Sequence, residues 1–260
     1  MRVALSIAGS DPTGGAGLQL DLQVFRALGL HGAAVVTALT VQDTTRVHQV
    51  LPAFPSVVLE QLRRLLADVH PAAVKIGMLA SDDVVRNVDL ALSGVDASIP
   101  RVLDPVLLAS DGTPLLETRA WGSLATLFPH TTLVTPNRSE ATALTGEDAS
   151  DDAGTELAAR ALIEGLRACA VLIKGGDREG APRDLLARNG DRGVQLEWLE
   201  GERHDVGPVH GTGCALSSAV AAHLARGEAL EDAVRLARAF VAEAIRRAVP
   251  IGSGARVLRF

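Results

Sequence analysis

Three features of the sequence predict an α/β fold: a mostly parallel central sheet with helices on both faces, three layers in all, and a small hairpin at one edge. Short apolar, β-branched runs alternate with longer segments of helical period. Polar and glycine-rich stretches follow the apolar runs and do not scatter over both of their ends. One NGDRG turn near residue 190 joins two short runs. Strand–helix alternation of this kind is what a parallel sheet requires, because each crossover needs a connecting helix.

The strands are VALSIA (3–8), AAVVTALTV (33–41), AAVKIGM (72–78), RVLDPVLL (101–108), TLVTPN (132–137) and AVLIKGG (170–176), each a short apolar run with polar punctuation. GLQLDLQVFRALG (17–29), SVVLEQLRRLLADV (56–69), SDDVVRNVDLAL (81–92) and AGTELAARALIEGL (153–166) are the helices between them. In the last, Leu157, Ala161, Leu162 and Leu166 are predicted to share a face. DLLARNGDRGVQLEWLE (184–200) reads as the edge hairpin. HGTGCALSSAVAAHL (210–224) opens on two glycines and continues as a small-residue helix. A terminal helix sets Leu230, Val234, Ala237, Val241 and Ile245 on one stripe.

With 47% hydrophobic residues and no repeat, linker or low-complexity tract, residues 1–260 are expected to form one domain. The net charge of −6 argues against nucleic acid or an anionic membrane as partner. The first apolar run is too short for a secretory leader, and no run is long enough to cross a bilayer. Two cysteines make neither a disulfide framework nor a zinc motif, so a cytoplasmic protein is expected, with Cys169 in the core.

In open parallel sheets, ligands bind outside the carboxyl ends of the strands. The rim is therefore predicted from GSDPTGGAG, QDT, GML, DP, PNRSE and KGGD, which follow the six strands in turn. Gly211, Thr212, Gly213 and Cys214 start a helix, where free N–H groups and the dipole attract an anion; the same residues also read as a cap by Thr212 with tight packing behind it. The G-x-x-x-x-G-K-[ST] loop is absent, which excludes the phosphate-loop NTPases. Cys214, in the first turn, is expected to have a lowered pKa and to accept a proton from a substrate hydroxyl; otherwise it is a small residue that fits its slot. The Gly-Gly-Ala-Gly run at 14–17 closes over a small ligand or is an ordinary turn, with Asp11 and Asp21 as candidate ligands; Asp21 reads equally as an exposed helix residue. Asn137 and Glu140 either cap a helix or orient a Mg²⁺ carried by phosphates. Lys174 is either solvated or neutralises a transferring phosphate. Together these parts describe phosphoryl transfer to a small molecule.

Read in order, AGSDPTGGAGLQLDL, TALTVQDT, VKIGMLAS, VLDPVLLASDGTPLL, LVTPNRSEATALTG, IKGGDREG and HGTGCALSSAVAAHLARG resemble the hydroxymethylpyrimidine/phosphomethylpyrimidine kinases of thiamine biosynthesis, members of the ribokinase-like superfamily. The likeness runs from about residue 3 to 226 and weakens around 185–209. It implies a ribokinase-like α/β/α fold and use of ATP and Mg²⁺. The implied reaction is phosphorylation of 4-amino-5-hydroxymethyl-2-methylpyrimidine, then of its monophosphate to the diphosphate. By position, Cys214 stands where ribokinase relatives usually carry an aspartate base, and Gly211, Thr212 and Gly213 form the anion hole. Gln42 is expected on the aminopyrimidine edge, with Gly9, Asp11 and Met78 around the ring; without the family, Met78 reads as core. Lys174 and Asp104 are expected to face the phosphates and metal. Asn137 and Glu140 orient Mg²⁺, which Glu140 and Asp104 hold through water. ASDGTPLL (109–116) resembles a flap over the site, and the family implies a homodimer.

Two departures stand out. DVGPV precedes HGTGC in place of the family's usual threonine- or asparagine-bearing lead-in, and Asp43 stands where asparagine often follows the glutamine. The rival readings are a pyridoxal or pyridoxine kinase of the same fold, a metabolite-binding protein that kept the fold, and a hydrolase pairing Cys214 with His210.

Overall fold

The computed structural model describes residues 1–176, 180–191 and 193–260, so Asp177 of KGGD and Arg192 of the NGDRG turn lie outside the described residues. The main sheet is built from β1 (Val3–Ser10), β2 (His31–Gln42), β3 (Val47–Pro52), β4 (Ala73–Ile76), β5 (Arg101–Leu103), β6 (Leu133–Val134), β7 (Ala170–Ile173), β8 (Arg183–Gly190) and β9 (Gly193–Glu200). Their order is β3-β2-β1-β4-β5-β6-β7-β8-β9. From β2 to β7 all neighbours run parallel, while β3 on one edge and the β8–β9 hairpin on the other are antiparallel.

The helices are α1 (Gly17–Ala27), α2 (Pro55–Asp68), α3 (Asp82–Leu92), α4 (Trp121–Ala125), α5 (Arg138–Thr145), α6 (Asp152–Arg160), α7 (Thr212–Arg226) and α8 (Leu230–Arg246). Successive strand side chains point to opposite faces, and the two cores sort by that period. Leu5, Val74, Leu103, Val134 and Val171 pack with α2 to α6. Ala4, Ala73, Val102, Leu133 and Leu172 pack with α1, α7 and α8. The predicted three-layer class and the edge hairpin are what the chain forms. Among the described residues, no helix is long and apolar enough to cross a membrane.

Three expectations about individual residues fail. Leu157 is exposed, because the buried stripe of α6 runs through Thr155, Ala158, Ala159 and Leu162, where small side chains let the helix lie close to the sheet. Cys169 is also exposed, since it sits in the loop that enters β7, just after Arg167 turns the chain at φ 61°. Asp21 is fully buried: it faces the sheet and holds Lys75 of β4 at 2.8 Å, with the hydroxyls of Ser6 and Ser218 donating to it.

Three strands and the short helix α4 escaped the sequence reading. β3 extends the sheet past β2, and a separate short ladder pairs β10 (Val209–His210) with β11 (Arg256–Val257). Before β11, the Ala255 N–H donates to the Thr44 carbonyl and the Gly254 N–H to Thr44 Oγ1. A Cβ on Gly254 would collide with the Thr44 backbone. The last residues therefore strap the loop after β2 to β10.

Candidate active site

The strand order reverses between β1 and β4, and a crevice opens at the carboxyl ends of such neighbours. A cavity of about 340 Å³ lies there, and every predicted site residue except Asp21 is on its wall.

At one end is the start of α7. Gly211 turns the chain at φ 79°, and the Ala215 N–H donates to its carbonyl. The N–H groups of Thr212, Gly213 and Cys214 precede that first helical bond and have no acceptor within the helix. A side chain on Gly211 would strike the Gly15 carbonyl, so glycine is required both by conformation and by contact. Gly211 takes the capping position that the sequence reading gave to Thr212, and no side chain caps this end.

Lys174 leaves β7 toward the same point. A Cβ on Gly213 would stand only 3.1 Å from its Nζ, so the bare backbone lets the ammonium lie against the helix start. Lys174 Nζ donates to Asp104 Oδ1 at 2.7 Å and lies 3.9 Å from Glu140 Oε2. Burial opposes the charge on Lys174, but Asp104 and Glu140 keep its pKa above the usual value. For Glu140, burial pushes the carboxyl up to about 7, with Asp104 adding to the rise and Lys174 opposing it. Asn137 and Glu140 form a reciprocal capping box: Asn137 Oδ1 accepts the Glu140 N–H at 2.8 Å, and Glu140 Oε2 accepts the Asn137 N–H at 2.7 Å. Asn137 Oδ1 is therefore spent on the helix, and Glu140 also takes a hydrogen bond from the Leu107 backbone.

Cys214 Sγ faces the N–H of Gly17 at the start of α1. The expected lowering of its pKa does not hold. Burial pushes the thiol up, and the carboxylates of Asp104 and Asp21 add to this; Lys75 and the Gly17 N–H offset only part of it. Lys75 is fully buried under the site, yet its pKa stays above the usual value because Asp21, Cys214 and Asp104 outweigh desolvation.

The opposite wall carries the residues that the resemblance sets around the ring, Gly9, Asp11, Gln42 and Met78. A Cβ on Gly9 would lie 2.8 Å from Met78 Sδ, so Gly9 gives that side chain its room. Gln42 Nε2 and Asp11 Oδ2 each stand 3.0 Å from His210 Nε2. His210 is thus engaged with Gln42 and Asp11, and the Cys–His pair of a hydrolase is not formed. The flap predicted at 109–116 lies over the cavity, where Asp111 Oδ2 accepts the Val47 N–H at 2.9 Å.

A second cavity, of about 400 Å³, adjoins the first at Lys174, Thr212 and Gly213 and runs between the β8–β9 hairpin and α8, past Pro182, Glu200, Arg238 and Ile245. Sequence reasoning missed these residues, because they sit on edge and helix positions with ordinary composition.

Two cavities joined across a bed of N–H groups set a donor and an acceptor end to end, the plan of a ribokinase-like phosphotransferase. The profile of the phosphomethylpyrimidine kinases matches residues 11–259. A hydroxymethylpyrimidine/phosphomethylpyrimidine kinase of Streptomyces coelicolor is 41% identical over 254 residues, 97% of this chain and 91% of that protein. Among solved structures, an ADP complex of Bacillus subtilis pyridoxal kinase superposes with a TM-score of 0.88 at 30% identity, over 100% of this chain and 97% of the other. Phosphomethylpyrimidine kinase of Clostridium difficile 630 gives 0.80 at 32% identity, over 94% and 100%. The chain belongs to the phosphomethylpyrimidine kinase family and is a kinase.

Proposed function

We propose that this kinase transfers the terminal phosphoryl group of ATP to the hydroxymethyl oxygen of 4-amino-5-hydroxymethyl-2-methylpyrimidine, and then to the resulting monophosphate, supplying the diphosphate for thiamine biosynthesis. The observation that carries the reading is the convergence of the α7 N–H groups and Lys174 where the two cavities meet, with Cys214 beside them on the wall of the first. The pyrimidine occupies the pocket of Gly9, Gln42 and Met78, and the nucleotide occupies the one beside α8. As the oxygen–phosphorus bond forms, the bond to the bridging oxygen of ADP breaks. The N–H groups of Thr212, Gly213 and Cys214 hold the transferring group, and Lys174 offsets its charge. Cys214 Sγ, in the thiolate form that its raised pKa makes scarce near neutrality, accepts the hydroxyl proton in the first transfer. In the second the acceptor is a phosphate oxygen, already ionised, and no base is needed.

Asp104 and Glu140 fit Mg²⁺. They are two buried hard-oxygen groups on either side of one ammonium, and no group of three or more metal-binding side chains exists among the described residues. Asp104 and Glu140 would hold such an ion, and it would supply charge neutralisation at the phosphates.

The enzyme is a single domain acting as a homodimer. Leu39 and Leu51 are cross-strand partners on β2 and β3, both exposed, and Phe54 beside them is 79% exposed. An apolar edge of this kind is what a second copy covers. An exposed Cys169 and a working Cys214 suit a reducing cytoplasm.

The test is a mass-resolved product assay with ATP and Mg²⁺, offering the pyrimidine and pyridoxal in parallel. Sequential mono- and diphosphate on the pyrimidine is expected; turnover of pyridoxal alone overturns the substrate assignment.

A further inference from the structure

His210 stands between two groups of the substrate wall, and one of its atoms meets both. Nε2 lies 3.0 Å from Asp11 Oδ2 and 3.0 Å from Gln42 Nε2. A ring nitrogen either carries a proton and donates, or presents a lone pair and accepts; it does not do both. Asp11 decides between the two. Its carboxylate is 3% exposed and accepts the N–H and the hydroxyl of Thr13, each at 2.9 Å. Burial disfavours its charge, but the bonds from His210 and Thr13 hold the carboxyl below its usual range. An ionised carboxylate facing a bare lone pair is repelled, so Nε2 carries the proton.

The ring has little freedom to escape this arrangement. A Cβ on Gly15 would stand 2.8 Å from His210 Cδ2, so the loop backbone lies against the imidazole. On the other side the β10–β11 ladder fixes the main chain, with His210 opposite Val257. The Asp11 N–H in turn donates to Gln19 Oε1.

With the Nε2 proton committed toward Asp11 and Gln42, the amide atom that matches it is the carbonyl oxygen. A half-turn of the Gln42 amide exchanges oxygen and nitrogen without any change in shape. We propose that Asp11 and His210 are positioning residues that set which way round the Gln42 amide faces the substrate: carbonyl on the imidazole, NH₂ toward the ring. This rests on the pyrimidine reading of the pocket. The amide then offers an N–H donor and, beside it, the free lone pair of its oxygen. A 4-aminopyrimidine presents the complement, a ring nitrogen next to an exocyclic amine. Pyridoxal has no amine beside its ring nitrogen and satisfies only one of the two groups. A buried polar group left unpaired by the wrong ligand is what makes such a wall selective. The preference for one ring over the other is therefore set in part by two residues acting through Gln42.

The experiment compares the wild type with Asp11→Asn, His210→Leu and His210→Gln. It measures kcat and KM for the pyrimidine and for pyridoxal, and ¹⁵N chemical shifts of the His210 ring in the intact protein. Asp11→Asn and His210→Leu should raise the pyrimidine KM about tenfold or more, change kcat far less, and lower the pyrimidine-to-pyridoxal ratio, because the amide is free to turn. His210→Gln, whose NH₂ reaches Asp11 in place of Nε2–H, should restore much of that ratio. The wild-type ring should show the proton on Nε2. An unchanged KM and ratio in Asp11→Asn and His210→Leu, or a ring with its proton on Nδ1 alone, overturns the proposal. If the wild type turns over neither ring, the substrate assignment fails, and the ¹⁵N shifts still decide whether Nε2 carries the proton that the amide orientation requires.

Discussion

Replacing Lys75 by methionine removes the one cation from a fully buried polar cluster. Asp21 Oδ1 and Oδ2 take its ammonium at 3.0 and 2.8 Å, and both side chains have 0% exposure. What remains to Asp21 is the pair of hydroxyls from Ser6 and Ser218, at 2.5 and 2.7 Å. Hydroxyls satisfy lone pairs but do not balance a charge. Breaking a buried pair by removing one partner costs about 3–5 kcal/mol. With an unfolding entropy of about 2.1 cal/mol/K per residue over 260 residues, that loss lowers Tm by roughly 5–9 °C. The double variant Lys75→Met/Asp21→Leu removes both charges at similar volume and should recover at least half of the loss. Scanning calorimetry of the two variants and the wild type gives the comparison. In a Cys169→Ser background, the pH midpoint of Cys214 alkylation should also rise, because the strongest group holding that thiol down is Lys75. A single variant within about 1 kcal/mol of wild type, or a double no more stable than the single, would refute the argument.

Further outcomes follow from the structure. Cys214→Ala should slow the first phosphorylation at least tenfold while leaving ATP binding and the second transfer nearly intact, because only the alcohol has a proton to surrender; in the wild type, single-turnover rates of the first step should rise with pH, since burial keeps the thiol protonated near neutrality. Below the Glu140 pKa of about 7, apparent Mg²⁺ affinity should fall roughly tenfold per pH unit, and Glu140→Gln should flatten that profile. The same raised pKa helps folding below the unfolded value of 4.5 and loses that contribution as pH climbs through about 7, so the ligand-free enzyme should melt lower at pH 8 than at pH 6 by an amount that Glu140→Gln abolishes. Asp111→Ala should free the flap from Val47, raise KM severalfold and speed hydrogen exchange at the Val47 amide, while Phe54→Asp should yield monomers in sedimentation without unfolding the chain.

The strands and helices that build the parallel sheet were legible because their apolar period is dictated by burial on one or two faces, as in VALSIA and SDDVVRNVDLAL. VHQVLP was not: β3 is an edge strand with most of its side chains in water, so it lacks the continuous apolar run of its neighbours. The two residues of β10 are too short for any period. At the site, the helix start of HGTGC, Lys174 and Glu140 could be placed from local chemistry alone. The Asp21–Lys75 pair was read as a carboxylate that is either a ligand or exposed on its helix, and as one apolar strand. The signal was there all the same, since a lysine inside AAVKIGM has no way to stay buried without a partner. The thiol of Cys214 was misjudged because a helix start is visible in sequence, but the carboxylates that converge on it come from Asp104 and Asp21, far away along the chain.

Timing during synthesis gives the C-terminal strap a further meaning. Gly9 and Asp11 emerge from the ribosome long before Gly254 and Ala255, which hold Thr44, and Val257, which pairs with His210. The parallel sheet and the phosphate end of the site have all their residues well before that moment, but the wall that meets the ring does not. The wall that meets the ring is therefore completed only when residues 254–257 fold back onto Thr44 and His210, so two stretches far apart in the chain must meet before the ring can be recognised.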